Sequence, residues 1–183
     1  MVKVRDVHKL IEEGDINLQD WLRRLQEKVE ISDPEGLLRL AELSYALEQD
    51  MPAGDNLWVE GASSFNTGLE MAEILAGLHM DTDCLKAAVI YRSVREGQTT
   101  LAEVGKVAGE GIANLIDGVL QMAAISAVMN ADKRMVLGQS SNQLENLRRM
   151  LVAMVDDVRV ALIKLAERTC AIRAVKDAPE EKK

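Results

Sequence analysis

Between residues 18 and 174, apolar side chains return every three or four positions, and the segments carrying them open on residues that cap helices. Asn17 precedes LQDWLRRLQEKV (18–29). Asp33 precedes PEGLLRLAELSYALEQ, with Pro34 at the first helical position and Leu37, Leu40, Ala41 and Leu47 at helical spacing. Thr100 and Glu103 have the spacing of a capping box, which starts a short helix after GQT. Further helices are predicted over 69–78, 83–96, 110–129 (with Gly111 and Gly118 inside), 142–155 and 157–174. Strand signals are rare. Five aromatics (Trp21, Tyr45, Trp58, Phe65, Tyr91) and three prolines leave little for a strand sandwich or a base-stacking platform. The expected fold class is all-α.

A chain of 183 residues fits one domain. It can bury about 70% of the surface its unfolded form exposes, so it needs neither a disulfide nor a structural metal. Two cysteines, Cys84 and Cys170, make no disulfide framework, and a reducing cytoplasm is the expected location. Apolar residues make up 48% and charged residues 28%, which excludes wholesale disorder. No apolar run approaches the roughly 20 residues of a membrane span, and none near the start resembles a secretory signal. The formal net charge of −8 argues against direct contact with nucleic acid. The acid is concentrated: residues 1–60 hold 7 Lys/Arg against 14 Asp/Glu, residues 61–183 hold 15 against 16. That acidic first third reads either as a solvated face or as a docking surface for a basic partner. MPAGDNLWVEGASS (51–64) is the first clear break, and KDAPEEKK at the end reads as the start of a linker. No internal repeat is visible.

Motifs for chemistry are few. His8 precedes Lys9 and His79 precedes Met80, and neither HExxH nor CxxC occurs. Both histidines read as exposed rather than ligating. GKVAGEG (105–111) has glycines but no preceding strand, so it reads as a turn between helices and not as a phosphate cradle. Serines 63, 64, 126, 140 and 141 have no histidine in reach for nucleophilic catalysis. Helical phase is sharper. Leu85, Ala88 and Val89 mark a buried face whose next position is Arg92, with Arg95 one turn on. Val160 and Ile163 continue along one stripe to Glu167 and Ala171. A buried charge costs several kcal/mol unless paired. These side chains therefore meet each other, line a cleft, or snorkel to water at helix ends.

At these residues the chain resembles a known family. The strings LEMAEILAGLHMDTDCLKAAVIYRSVREGQTTLAEV (69–104), IANLIDGVLQM (112–122) and NLRRMLVAMVDDVRVALIKLAERTCAIRAVKDAPE (146–180) are similar, in order and spacing, to the N-terminal hydrolase-like domain of RelA/SpoT enzymes. The resemblance covers about residues 57–180 and implies the all-helical HD phosphohydrolase fold. It implies three parts: acidic helices over 1–56, an HD-like core over 57–175, and a linker from 176 to 183.

Active members of that family make and degrade ppGpp, and their hydrolase domain holds manganese with two histidines and two aspartates. The resemblance places the first histidine at Thr67, the central His-Asp pair at Tyr91 and Arg92, and the last aspartate at Glu167. It places the acidic pair that serves the attacking water at Arg95 and Glu96, and a nucleotide-contacting asparagine at Ala171. Arginine and a protonated tyrosine offer no useful lone pair to a divalent ion. The expectation is a degenerate site with no manganese and no other cofactor, and a domain of the RelA branch whose hydrolase reaction is lost. It would serve as a structural and regulatory module for a synthetase domain of the same chain, beyond residue 183. That synthetase would transfer pyrophosphate from ATP to GTP or GDP in the stringent response. Ribosome and uncharged tRNA would meet further C-terminal domains, not this one. Two alternatives stand beside it: a vestigial pocket holding a guanine nucleotide effector such as ppGpp through Arg92 and Arg95, and a surviving hydrolase with a relocated metal. Two structural expectations follow. The loop 130–141, with Lys133, Arg134, Gly138 and two serines, should be exposed and mobile. Arg92 should contact Glu167, with Arg95 or Glu96 completing a network and Thr67 and Tyr91 filling the volume of the ion.

Overall fold

The computed structural model describes residues 17–50, 63–132, 148 and 157–177. Their elements are α1 (Leu18–Gln26), α2 (Pro34–Gln49), α3 (Ser64–Gly77), α4 (Thr82–Arg95), α5 (Leu101–Ala108), α6 (Glu110–Asp132) and α7 (Val158–Asp177), with no strand among the described residues. The chain folds as all-α. Among the described residues no helix is long and apolar enough to cross a membrane.

Side-chain caps set most of the starts. Asn17 accepts from Asp20 N, Asp33 from Gly36 N, Ser63 from Asn66 N and Asp81 from Cys84 N. Thr100 accepts from Glu103 N while the Glu103 carboxylate accepts from Thr100 N, the reciprocal capping box. Several boundaries differ from the sequence expectation. Helix α3 opens at Ser64, five residues before 69 and inside the expected break. The Glu48 carboxylate of α2 accepts from Phe65 N at 2.6 Å and from the Ser63 hydroxyl at 2.9 Å, so the extra turn has partners for its orphan donors. Helix α1 stops at Gln26, where Lys28 N and Val29 N both turn onto Leu25 O. Helices α6 and α7 each run three residues past their expected ends, to Asp132 and Asp177. GKVAGEG is not a turn throughout: α5 continues through Ala108, and only Gly109, at φ +98°, makes the junction. The rest of the expected loop, 133–141, lies outside the described residues. So does the helix expected at 142–155, except for Arg148, which is helical.

Helix α4 is the axis of the fold. It packs against α2, α3, α6 and α7, and every residue from Cys84 to Ser93 is buried. Such a helix has no solvent face, so each polar side chain on it needs a partner. Ser93 meets Ser44 of α2 at 3.1 Å, and Lys86 meets Asp33 at 2.6 Å. The crossing with α3 is close because position 68 is glycine: a Cβ there would lie 2.4 Å from the Val89 carbonyl oxygen. Helices α1 and α2 join the same apolar core through Trp21, Leu25, Leu37 and Leu40.

Candidate functional site

The last turn of α4 and the middle of α7 share a buried cluster of charge. Tyr91 and Arg92 end the buried run of α4, and Arg95 and Glu96 follow one turn later. Both arginines lie where the helix presents its negative end, which favours cations. Packing of α7 against α4 and α6 brings in Glu167, one turn after Ile163 on the buried stripe.

Arg92 is 2% exposed and Glu167 3%. One Arg92 guanidinium nitrogen lies 2.5 Å from Glu96 Oε1, and the other donates to Glu167 Oε1 at 3.3 Å. Arg95 donates to the same Glu167 oxygen, and Lys164 to its other oxygen. The Tyr91 hydroxyl donates to Glu167 Oε2 at 3.4 Å and accepts from Arg95 at 3.5 Å. Among the described residues three cations, Arg92, Arg95 and Lys164, thus surround two carboxylates, Glu96 and Glu167. Burial acts to raise the Glu167 carboxyl, but the Lys164 hydrogen bond and the charges of Lys164, Arg95 and Arg92 outweigh it and hold it below its ordinary value. The Tyr91 phenol is pushed up to about 12 by burial, with the Glu167 charge adding to it, so it stays protonated at neutral pH.

Thr67 is the exception. Its hydroxyl donates to Ser63 O at 2.8 Å, one turn back along α3, and takes no part in the network. A threonine inside a helix finds its nearest acceptor in its own backbone. Ala171 lies one turn past Glu167, half-buried, and brings no polar group. Lys164 is the member that sequence reading missed. Its signal was the three-residue spacing to Glu167, which makes the two neighbours on a helix.

The cluster presents mainly hydrogen-bond donors. A divalent ion needs lone pairs, whereas Arg92 and Tyr91 offer donors and Glu167 already engages Arg92, Arg95 and Lys164. Among the described residues no three His, Cys, Asp or Glu side chains gather as metal ligands. The remaining candidates lie elsewhere. His79, exposed at φ +56°, places Nδ1 2.9 Å from Lys28 O. The Cys84 thiol is pushed up to about 12 by burial, which leaves it protonated and inert at neutral pH. His8, Trp58, Lys133, Arg134, Gly138, Ser140, Ser141 and the side chain of Ser126 lie outside the described residues.

The chain is a member of the HD domain family, whose model matches residues 43–183, from the middle of α2 onward. Among individual proteins, it is 37% identical over 187 aligned positions to the GTP pyrophosphokinase of Escherichia coli strain K12, covering all of this chain and 23% of that protein. It is 36% identical over 182 positions to the GTP pyrophosphokinase of Photobacterium angustum, covering 99% of this chain and 23% of the relative. With the GTP pyrophosphokinase rsh of Brucella ovis it shares 30% over 162 positions, 87% of this chain and 20% of that one. The similarity is thus to the RelA/SpoT family, and the chain spans under a quarter of the length of these relatives.

Proposed function

We propose that this chain is a hydrolase-like domain that has lost its reaction, and that it acts as a structural and regulatory module of a GTP pyrophosphokinase. The observation that carries the reading is Arg92, buried and bonded to Glu96 and Glu167 at the position where the family resemblance puts a metal ligand. A fixed guanidinium charge there opposes a divalent cation, and without the cation no water is activated. The parent protein, in this reading, belongs to the RelA branch. It transfers pyrophosphate from ATP to GTP or GDP through a synthetase domain, works in the cytoplasm in the stringent response, and meets ribosome and uncharged tRNA through other domains. This domain's own partner is the synthetase domain, and it touches neither membrane nor nucleic acid. The test is a pyrophosphate-release assay on the purified chain with ppGpp and manganese. No release above the buffer rate is expected; manganese-dependent turnover would overturn the reading and revive a relocated metal site.

One observation favours a second reading, in which the pocket holds a guanine nucleotide such as ppGpp as an effector. The Arg95 side chain at the edge of the cluster is 33% exposed, so a phosphate oxygen has a reachable partner. Calorimetry with ppGpp separates the two. Micromolar binding abolished by Arg95→Ala would favour the effector site, and no heat would leave the module inert toward nucleotides.

A further inference from the structure

The side of α7 turned away from the cluster carries a line of large apolar side chains that the described residues leave mostly uncovered. Val158, Leu165 and Ile172 recur every seven positions along it and are 63%, 61% and 60% exposed. They are three of the six large apolar side chains that the described residues leave in solvent; the other three, Tyr45, Leu78 and Val107, lie on three different segments. At about 100° per residue, Leu165 lies roughly 200° round the helix from Glu167, so the stripe and the cluster occupy opposite faces. Leu162, half-buried against the core, and half-buried Thr169 flank the stripe residues, and the series 158, 162, 165, 169, 172 alternates steps of four and three. That spacing is the seam of a helix–helix pair. The core face of the same helix is apolar too, through Val160, Ile163, Ala166 and Cys170. A helix apolar on both sides is stable in water when both sides are covered.

Charge selects the occupant. In a chain of net charge −8, α7 holds five Lys/Arg against two Asp/Glu, and one of those two acids, Glu167, is buried. Arg168 is exposed on one edge of the stripe and makes no hydrogen bond or ion pair among the described residues. The other edge carries Arg173, held by Glu70 at 2.8 Å. A second copy of α7 would set these cations against each other, whereas an acidic helix would bring carboxylates to them. We propose that the Val158–Leu165–Ile172 stripe docks an amphipathic helix of a partner protein, with acidic residues on its flanks and one of them paired with Arg168.

The test uses the 183-residue chain and two labelled synthetic helices of about three heptads. Both have Leu at the seam positions; one carries Glu on the flanks and the other Lys. Fluorescence anisotropy should show the Glu helix binding in the micromolar range and the Lys helix binding at least tenfold more weakly. Leu165→Asp should weaken the Glu helix at least tenfold and Arg168→Glu severalfold. Raising the salt should weaken it as well, and the circular-dichroism melts of both variants should match that of the unmodified chain. Equal or tighter binding of the Lys helix would overturn the proposal, as would binding unmoved by Leu165→Asp. Concentration-dependent dimerisation of the chain in sedimentation, abolished by Leu165→Asp, would assign the stripe to a second copy and overturn it as well.

Discussion

At position 92 a guanidinium sits 2% exposed, and it is tolerated because carboxylates from two helices meet it. Such a network is weak evidence of net stability, but removing one member leaves uncompensated charge in the interior. Glu167→Ala should therefore destabilise the fold by about 3–5 kcal/mol. Glu110→Ala, at an exposed position, should stay within about 0.5 kcal/mol. Denaturant titration of the two variants checks the contrast, and equal losses would contradict it. The pH dependence has two limbs. The Glu167 carboxyl is held below its ordinary 4.5 by Lys164, Arg95 and Arg92 against the effect of burial. Its contribution is whole above pH 4.5 and lost as pH falls through the lower folded value. Tyr91 and Cys84 lie on the other limb: burial pushes both up to about 12, from 10.0 and 9.0. Their folded forms hold the proton more tightly, so stability is whole below pH 9 and falls as the pH rises toward 12. Tyr91→Phe should flatten part of that alkaline fall, measured by denaturant midpoints at stepped pH. Arg92 was legible in the sequence because it lies seven residues after Leu85 on an apolar face. That the Thr67 hydroxyl turns onto the Ser63 carbonyl was not, because a bond to a side chain's own helix gives no periodic signal.

At the scale of elements, the contact of α3 with α4 depends on one missing methyl. Gly68→Ala would drive a Cβ to within 2.4 Å of the Val89 carbonyl oxygen, a backbone atom inside a helix that cannot turn aside. The expected loss is about 1–3 kcal/mol, the usual range for overpacking. Gly77→Ala, at the end of the same helix with nothing within 4 Å, should be neutral or stabilise by up to about 1 kcal/mol through helix propensity. Opposite signs in the two melting points are the result that checks this. Most helices were legible from caps and spacing. The start of α3 was not, because Ser63 and Ser64 follow a stretch with Pro52, Gly54 and Gly61 that reads as loop. The partner that satisfies the added turn, Glu48, comes from α2. Local patterning carries no record of a cap supplied by another helix. The bounds of α1 show the converse, since the pattern ran on to Val29 while the backbone had already tightened onto Leu25 O.

For the molecule as a whole, charge has a consequence that can be measured without any substrate. If protein cations stand where the family resemblance places a metal, the folded state has no divalent ion to lose. The thermal midpoint should then be the same within about a degree in EDTA and in millimolar manganese, because an ion that does not bind the native state adds no stability. A rise of several degrees with manganese would contradict the proposed loss of the site.

The order of the described helices and the all-α class follow from the sequence, because 3.6-residue periodicity and capping are local properties that a short window records. The buried stripes of α4 and α7 are recorded in the same way, and with them the positions of Arg92 and Glu167. What the tertiary structure decided is which stripe faces which. The 3.3 Å contact between Arg92 and Glu167 joins residues 75 apart, and the bonds from Tyr91, Arg95 and Lys164 converge on the same carboxylate. Periodicity marks a face as apolar but does not name its neighbour. The stripe of Val158, Leu165 and Ile172 is the other half of that point: it has the same periodicity as the core, and its exposure was decided only when the opposite side of α7 took the interior.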